Sequence, residues 1–94
     1  MALNTIRANR IFEKLGFPSV RAANHFEQSV DEYGTKLQWV IGTGPYQVLK
    51  AYPTLAAVIA ANLEQHWDIF DREKLTAIEL RELRMIPSQV AAHI

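Results

Sequence analysis

Between Pro53 and Asp71 the chain reads PTLAAVIAANLEQHWDIFD, with Leu55, Ala56, Ala57, Val58, Ile59, Ala60 and Ala61 in unbroken succession. Wound as a helix, this run is apolar in every direction, and such a helix persists only where neighbouring elements cover it. The stretch therefore predicts the core of a small domain. At about 100° per residue, Leu55, Ile59, Leu63, His66, Trp67 and Phe70 share one broad face, opposite Glu64, Asp68 and Asp71. The helix is expected to begin buried and end amphipathic. Thr54, behind Pro53, suits its N-cap.

Two further helices announce their ends. Over residues 3–15, Ala8, Ile11, Phe12 and Leu15 fall on one side and Arg7, Arg10 and Lys14 on the other; Gly16 and Pro18 mark the stop. Thr76 and Glu79 spell a capping box, with Leu75 and Leu80 as its hydrophobic staple, so a helix should start at Ala77. Its apolar residues Ile78, Leu80, Leu83, Met85 and Ile86 spread widely enough to be covered on two sides before Pro87 breaks the run.

From Ser19 to Ile41 the positions Ala23, Phe26, Val30, Tyr33, Leu37 and Val40 step by three and four, which predicts another long helix weakened at Gly34. Gly42, Thr43, Gly44 and Pro45 then break the chain before a short helical piece, Tyr46 to Ala51. The competing reading pairs Lys36 to Ile41 with Tyr46 to Tyr52 as the arms of a β-hairpin. The expected fold is a single all-α domain spanning residues 1–94. It is a small orthogonal or up-down bundle of four main helices around the buried helix at about 54–71.

Ninety-four residues suffice for one modest core. Ten basic residues balance ten acidic ones, so no global charge draws the chain to nucleic acid or anionic lipid. Cysteine is absent, which removes disulfides and thiolate metal sites and fits the cytoplasm or another reducing compartment. The longest apolar run falls well short of the ~20 residues that span a bilayer. Arg7, Arg10, Lys14 and Arg21 against Glu13 have the composition of a transit peptide, and are read here as part of the fold.

No residue pattern carries chemistry. His25, His66 and His93 lack the spacing that aims two ligands at one ion, and His66 reads as a core histidine bonded to a backbone carbonyl. Glu64, Asp68 and Asp71 read as a solvated face in preference to an acid/base pair. Asp71, Glu73, Ile78 and Glu82 fall at positions 1, 3, 8 and 12 of an EF-hand loop. Leu75 and Thr76, however, occupy positions 5 and 6, where an oxygen ligand and Gly belong. The serines sit in no nucleophile elbow, and GTGP lacks the Lys and spacing of a phosphate loop. No catalytic, cofactor or metal residue is expected.

Two contact surfaces remain. One is the basic stripe Arg7, Arg10 and Lys14; the other is Trp39, Tyr46 and Tyr52 around the bend at 42–52. The expected function is non-enzymatic. It is that of an adaptor, inhibitor or accessory subunit acting by contact with another protein or with a second copy. The alternative is nucleic-acid binding through the stripe or through Arg81 and Arg84, and an EF-hand-like module is more remote.

Overall fold

A computed structural model describes residues 3–42 and 50–94. Asn4 opens α1 (Thr5–Leu15) by accepting the Arg7 amide on its side-chain oxygen at 2.9 Å. Gly16 closes it in the left-handed conformation, φ 76°, while the Gly16 and Phe17 amides return to Glu13 and Phe12. The helix buries Ala8, Ile11, Phe12 and Leu15, and Phe17 stacks on Phe12 with ring centroids 5.7 Å apart. Asn9 reaches sideways to the next segment. Its amide donates to the Val20 carbonyl and its oxygen accepts the Val20 N–H, both at 2.8 Å.

The helix expected from Ser19 to Ile41 is absent, and the all-α bundle with it: the fold is α+β. Val20–Ala22 (β1), Trp39–Ile41 (β4) and Ala51–Tyr52 (β5) form an antiparallel sheet ordered β1-β4-β5, while Ser29–Val30 (β2) and Lys36–Leu37 (β3) form a separate hairpin. Register places Val20 opposite Ile41, Ala22 opposite Trp39, and Trp39 opposite Tyr52. Of the two readings of this region, the antiparallel pairing of β4 with β5 matches the hairpin alternative. Thr43, Gly44, Pro45 and most of the short helical piece expected from Tyr46 to Ala51 lie outside the described residues, and its last residue, Ala51, is on β5 instead.

Turn chemistry explains the difference. The Asp31 carboxylate accepts the Tyr33 and Thr35 amides at 2.9 Å each, and the Gly34 amide bonds to the Asp31 carbonyl. Gly34 takes φ 80°, the left-handed position that a three-residue hairpin loop requires. The residue expected to weaken a helix is the pivot of a hairpin. The steps of three and four had no common face behind them, since Ala23 and Val40 are buried while Phe26, Val30 and Tyr33 are exposed.

Thr54 caps α2 (Leu55–Gln65), accepting the Ala57 amide at 3.0 Å. The helix packs across all three strands of the sheet and buries Val58, Ile59 and Leu63. It stops short of Asp71. His66 leaves helical geometry at φ −118°, ψ 20°, and its Nδ1 lies 3.0 Å from the Asn62 carbonyl oxygen. Trp67 and Phe70 then reach the core through a 3-10 turn, stacked on each other at 4.4 Å. Cover over the alanine run is also incomplete, because Ala56 is exposed. On the buried side, Asn62 donates to the Pro18 carbonyl at 2.8 Å and is itself 0% exposed.

Both halves of the capping box form at α3 (Ala77–Arg84): the Thr76 hydroxyl accepts the Glu79 amide at 3.1 Å, and Glu79 accepts the Thr76 amide at 2.8 Å. Leu83 enters the core, but Ile78 and Met85 are exposed, so the helix is covered on one side. A 3-10 turn at Ala91–His93 delivers Ile94 to the core. Among the described residues, no helix is long and apolar enough to cross a membrane.

Candidate functional site

The basic stripe of α1 faces the acids of α3. Arg7 donates from Nε to Glu82 at 2.9 Å and from Nη2 to the other carboxylate oxygen, while Lys14 meets both oxygens of Glu79 at 2.8 and 2.9 Å. The Arg7 hydrogen bond holds the Glu82 carboxyl below the usual carboxylate range, and the same bond raises the Arg7 guanidinium. Burial works against the Glu79 carboxylate, yet hydrogen bonds from Lys14 and Thr76 outweigh it and keep that carboxyl low as well. Arg10 makes no ion pair among the described residues. It lines, with Glu13 and the two pairs' members Arg7, Lys14 and Glu79, an open groove of about 540 Å³. Two of the three expected phosphate contacts thus clamp one helix to another.

Trp39 lies on β4 directly opposite Tyr52, and both are half-buried against the core. The Tyr52 hydroxyl accepts Gln65 Nε2 at 2.9 Å, and Lys50 sits 5.3 Å from the centre of its ring. These aromatics cover the edge of the core. Tyr46, the third member of that expected surface, lies outside the described residues.

The exposed aromatics are elsewhere. Phe26 is 92% exposed, Tyr33 85% and Val30 62%, all on the arm formed by the turn at 24–28 and the β2–β3 hairpin. Each aromatic stands two residues after an Asn or Asp whose side-chain oxygen accepts its backbone amide. Asn24 holds Phe26 at 2.9 Å, and Asp31 holds Tyr33 at 2.9 Å. The first turn is locked again from outside. Glu27 accepts the Asn24 amide at 2.9 Å and takes Arg21 in a fork at 2.6 and 2.7 Å, while Arg21 Nε donates to the Gly42 carbonyl at 2.9 Å. The Arg21 bond, helped by the Asn24 amide, pulls the Glu27 carboxyl down to about 2. Asn-x-Phe, Asp-x-Tyr and the Gly after it were the signals for this arm, masked by their helix-like spacing.

An apolar groove of about 210 Å³ opens beside the start of α2 and the end of α3, its walls including Leu3, Leu55, Ala56, Met85 and Ile86, with Glu82 alongside. The remaining polar candidates are dispersed. Glu64 accepts the Gln89 amide at 3.0 Å, Asp71 caps a 3-10 turn, and Asp68 is exposed. The EF-hand pattern at 71–82 is split between a 3-10 turn, which takes Asp71 and Glu73, and α3, where Glu82 is held by Arg7. No cluster of three or more metal-ligating side chains occurs among the described residues. No protein family, curated protein or solved structure matches the chain.

The three paired carboxylates carry a pH prediction. Each has a folded pKa below its unfolded value of about 4.3, so its contribution is present above that value and lost as pH falls through the folded one. Thermal melts should show the midpoint falling between roughly pH 5 and pH 2. In Glu27→Gln the fall should be shallower, most visibly near the low end of that range. A flat profile across it would mean these pairs do not form in solution.

Proposed function

We propose that this is a non-enzymatic protein that works by protein–protein contact, as an adaptor, inhibitor or accessory subunit, with the arm at 24–37 as its contact surface. The observation that supports this reading is the exposure of Phe26 and Tyr33 to solvent on turns whose backbone is tied by Asn24 and Asp31. An exposed aromatic whose backbone is already fixed loses little freedom on binding, which is what an interface anchor needs. Neither ring contributes to the core, so folding gives no reason for these residues to be aromatic. The lack of cysteine fits a reducing compartment such as the cytoplasm.

The nucleic-acid alternative has less support, since Glu82 and Glu79 neutralise Arg7 and Lys14. The test compares affinity capture by wild type, by Phe26→Ala with Tyr33→Ala, and by Arg10→Ala as a control. Partner recovery should collapse in the double variant and persist in the control. Undiminished recovery in the double variant, or salt-sensitive binding of duplex DNA by the wild type, would overturn the reading.

A further inference from the structure

We infer that the open groove along α1, closed on its far side by Glu79 of α3, binds a small zwitterion: a short chain with a carboxylate at one end and an ammonium group at the other. The site shares no residue with the arm and goes beyond the contact role proposed for it. The groove measures about 540 Å³, against about 210 and 190 Å³ for the two hollows that share Met85. That volume falls within the roughly 300–1,000 Å³ of small-molecule sites. Its walls are Arg7, Arg10, Ile11, Glu13, Lys14 and Glu79. Ile11, otherwise buried in the core, gives it an apolar patch among charged groups.

Charge complementarity selects the ligand. Arg7 is held by Glu82 and Lys14 by Glu79, so these cations reach the groove already neutralised. Arg10 and Glu13 are left, and neither makes an ion pair, with the other or with any other described residue. One cation and one anion, a helical turn apart and about 5–6 Å between Cβ atoms, therefore stand open in the same groove. A simple anion set against Arg10 also meets Glu13, and a simple amine set against Glu13 also meets Arg10. Repulsion then cancels much of either attraction. A chain carrying both charges satisfies both groups: its carboxylate takes the Arg10 guanidinium in a fork, its ammonium donates to Glu13, and its methylenes cover Ile11. Polyanionic nucleic acid has no such second charge to offer Glu13.

Titration of δ-aminovalerate into the isotope-labelled protein at low salt, followed by amide chemical shifts, tests this, with valerate and pentylamine as single-charge controls. The zwitterion should give saturable shifts along α1 with a Kd of about 1–5 mM. Each control should bind the wild type roughly 5-fold more weakly, the factor that one exposed charge pair supplies. Arg10→Gln and Glu13→Gln should each lose about the same factor for the zwitterion. They should also gain where a repulsion is removed: pentylamine should bind Arg10→Gln more tightly than wild type, and valerate should bind Glu13→Gln more tightly. A variant that had merely lost its fold could not show such gains. The absence of saturable shifts up to about 50 mM δ-aminovalerate, equal affinity for the zwitterion and both controls, or unchanged zwitterion binding in both variants would each overturn the proposal.

Discussion

Phe12→Ala is expected to lower the unfolding free energy by about 3–5 kcal/mol, the largest loss from any single truncation in this chain. Among the described residues, Phe12 is the largest of the fully buried side chains. It stacks on Phe17, which in turn lies 5.5 Å from the His66 ring, so it links α1 to the end of α2. Removing the ring forfeits its transfer free energy and leaves a cavity that Ile11, Leu15 and Leu63 cannot fill without leaving their rotamers. A domain of this size holds roughly 5–15 kcal/mol in total, and each kilocalorie is worth about 4–8 °C of melting temperature. Urea and thermal unfolding of the variant should therefore show a midpoint drop of at least 12 °C or so. A loss under about 1 kcal/mol would mean that α1 is not integral to the core.

Asn62→Asp is expected to be nearly as damaging, with the opposite pH signature to the paired glutamates. Asn62 is wholly buried on α2, donates to the Pro18 carbonyl, and presents an Oδ1 that meets no donor among the described residues. A carboxylate there loses the donor, faces a carbonyl oxygen, and stands in apolar surroundings without a counter-charge. The loss should be about 3 kcal/mol or more at pH 7. Burial raises the folded pKa of such a carboxyl above its unfolded value of about 3.9. The folded state then holds the proton more tightly, so the penalty grows as pH rises past the unfolded value and shrinks as pH falls. The gap in melting temperature between wild type and variant should narrow from pH 7 to pH 4. A gap that stays constant would show that water reaches residue 62.

Elements that end in unmistakable local chemistry could be read without coordinates. Gly16 and Pro18 fixed the end of α1, Thr54 the start of α2, and Thr76 with Glu79 the start of α3. The region from Ser19 to Ile41 could not. Its strands are two or three residues long, too short for period-two alternation to register. The coincidental steps from Ala23 to Val40 imitated a helix seam, although their middle members Phe26, Val30 and Tyr33 are the residues that the fold leaves in water. A reading that weighed Asn24, Asp31 and Gly34 as turn formers would have found the arm and its aromatics. The pairing of Arg7 and Lys14 with acids on α3 lay beyond reach, because it joins residues 75 and 65 positions apart.

The side-chain amide of Asn9 stands where a further strand would run beside β1. A sheet border with free peptide groups is a template on which foreign chains can polymerise, and proteins commonly blunt it with charge, proline or a cover. Here both outward groups of Val20 are already engaged by a single short residue of α1. That flank gives a misfolded neighbour no rail to extend along, so the fold guards this border with one amide side chain instead of a charge or a proline.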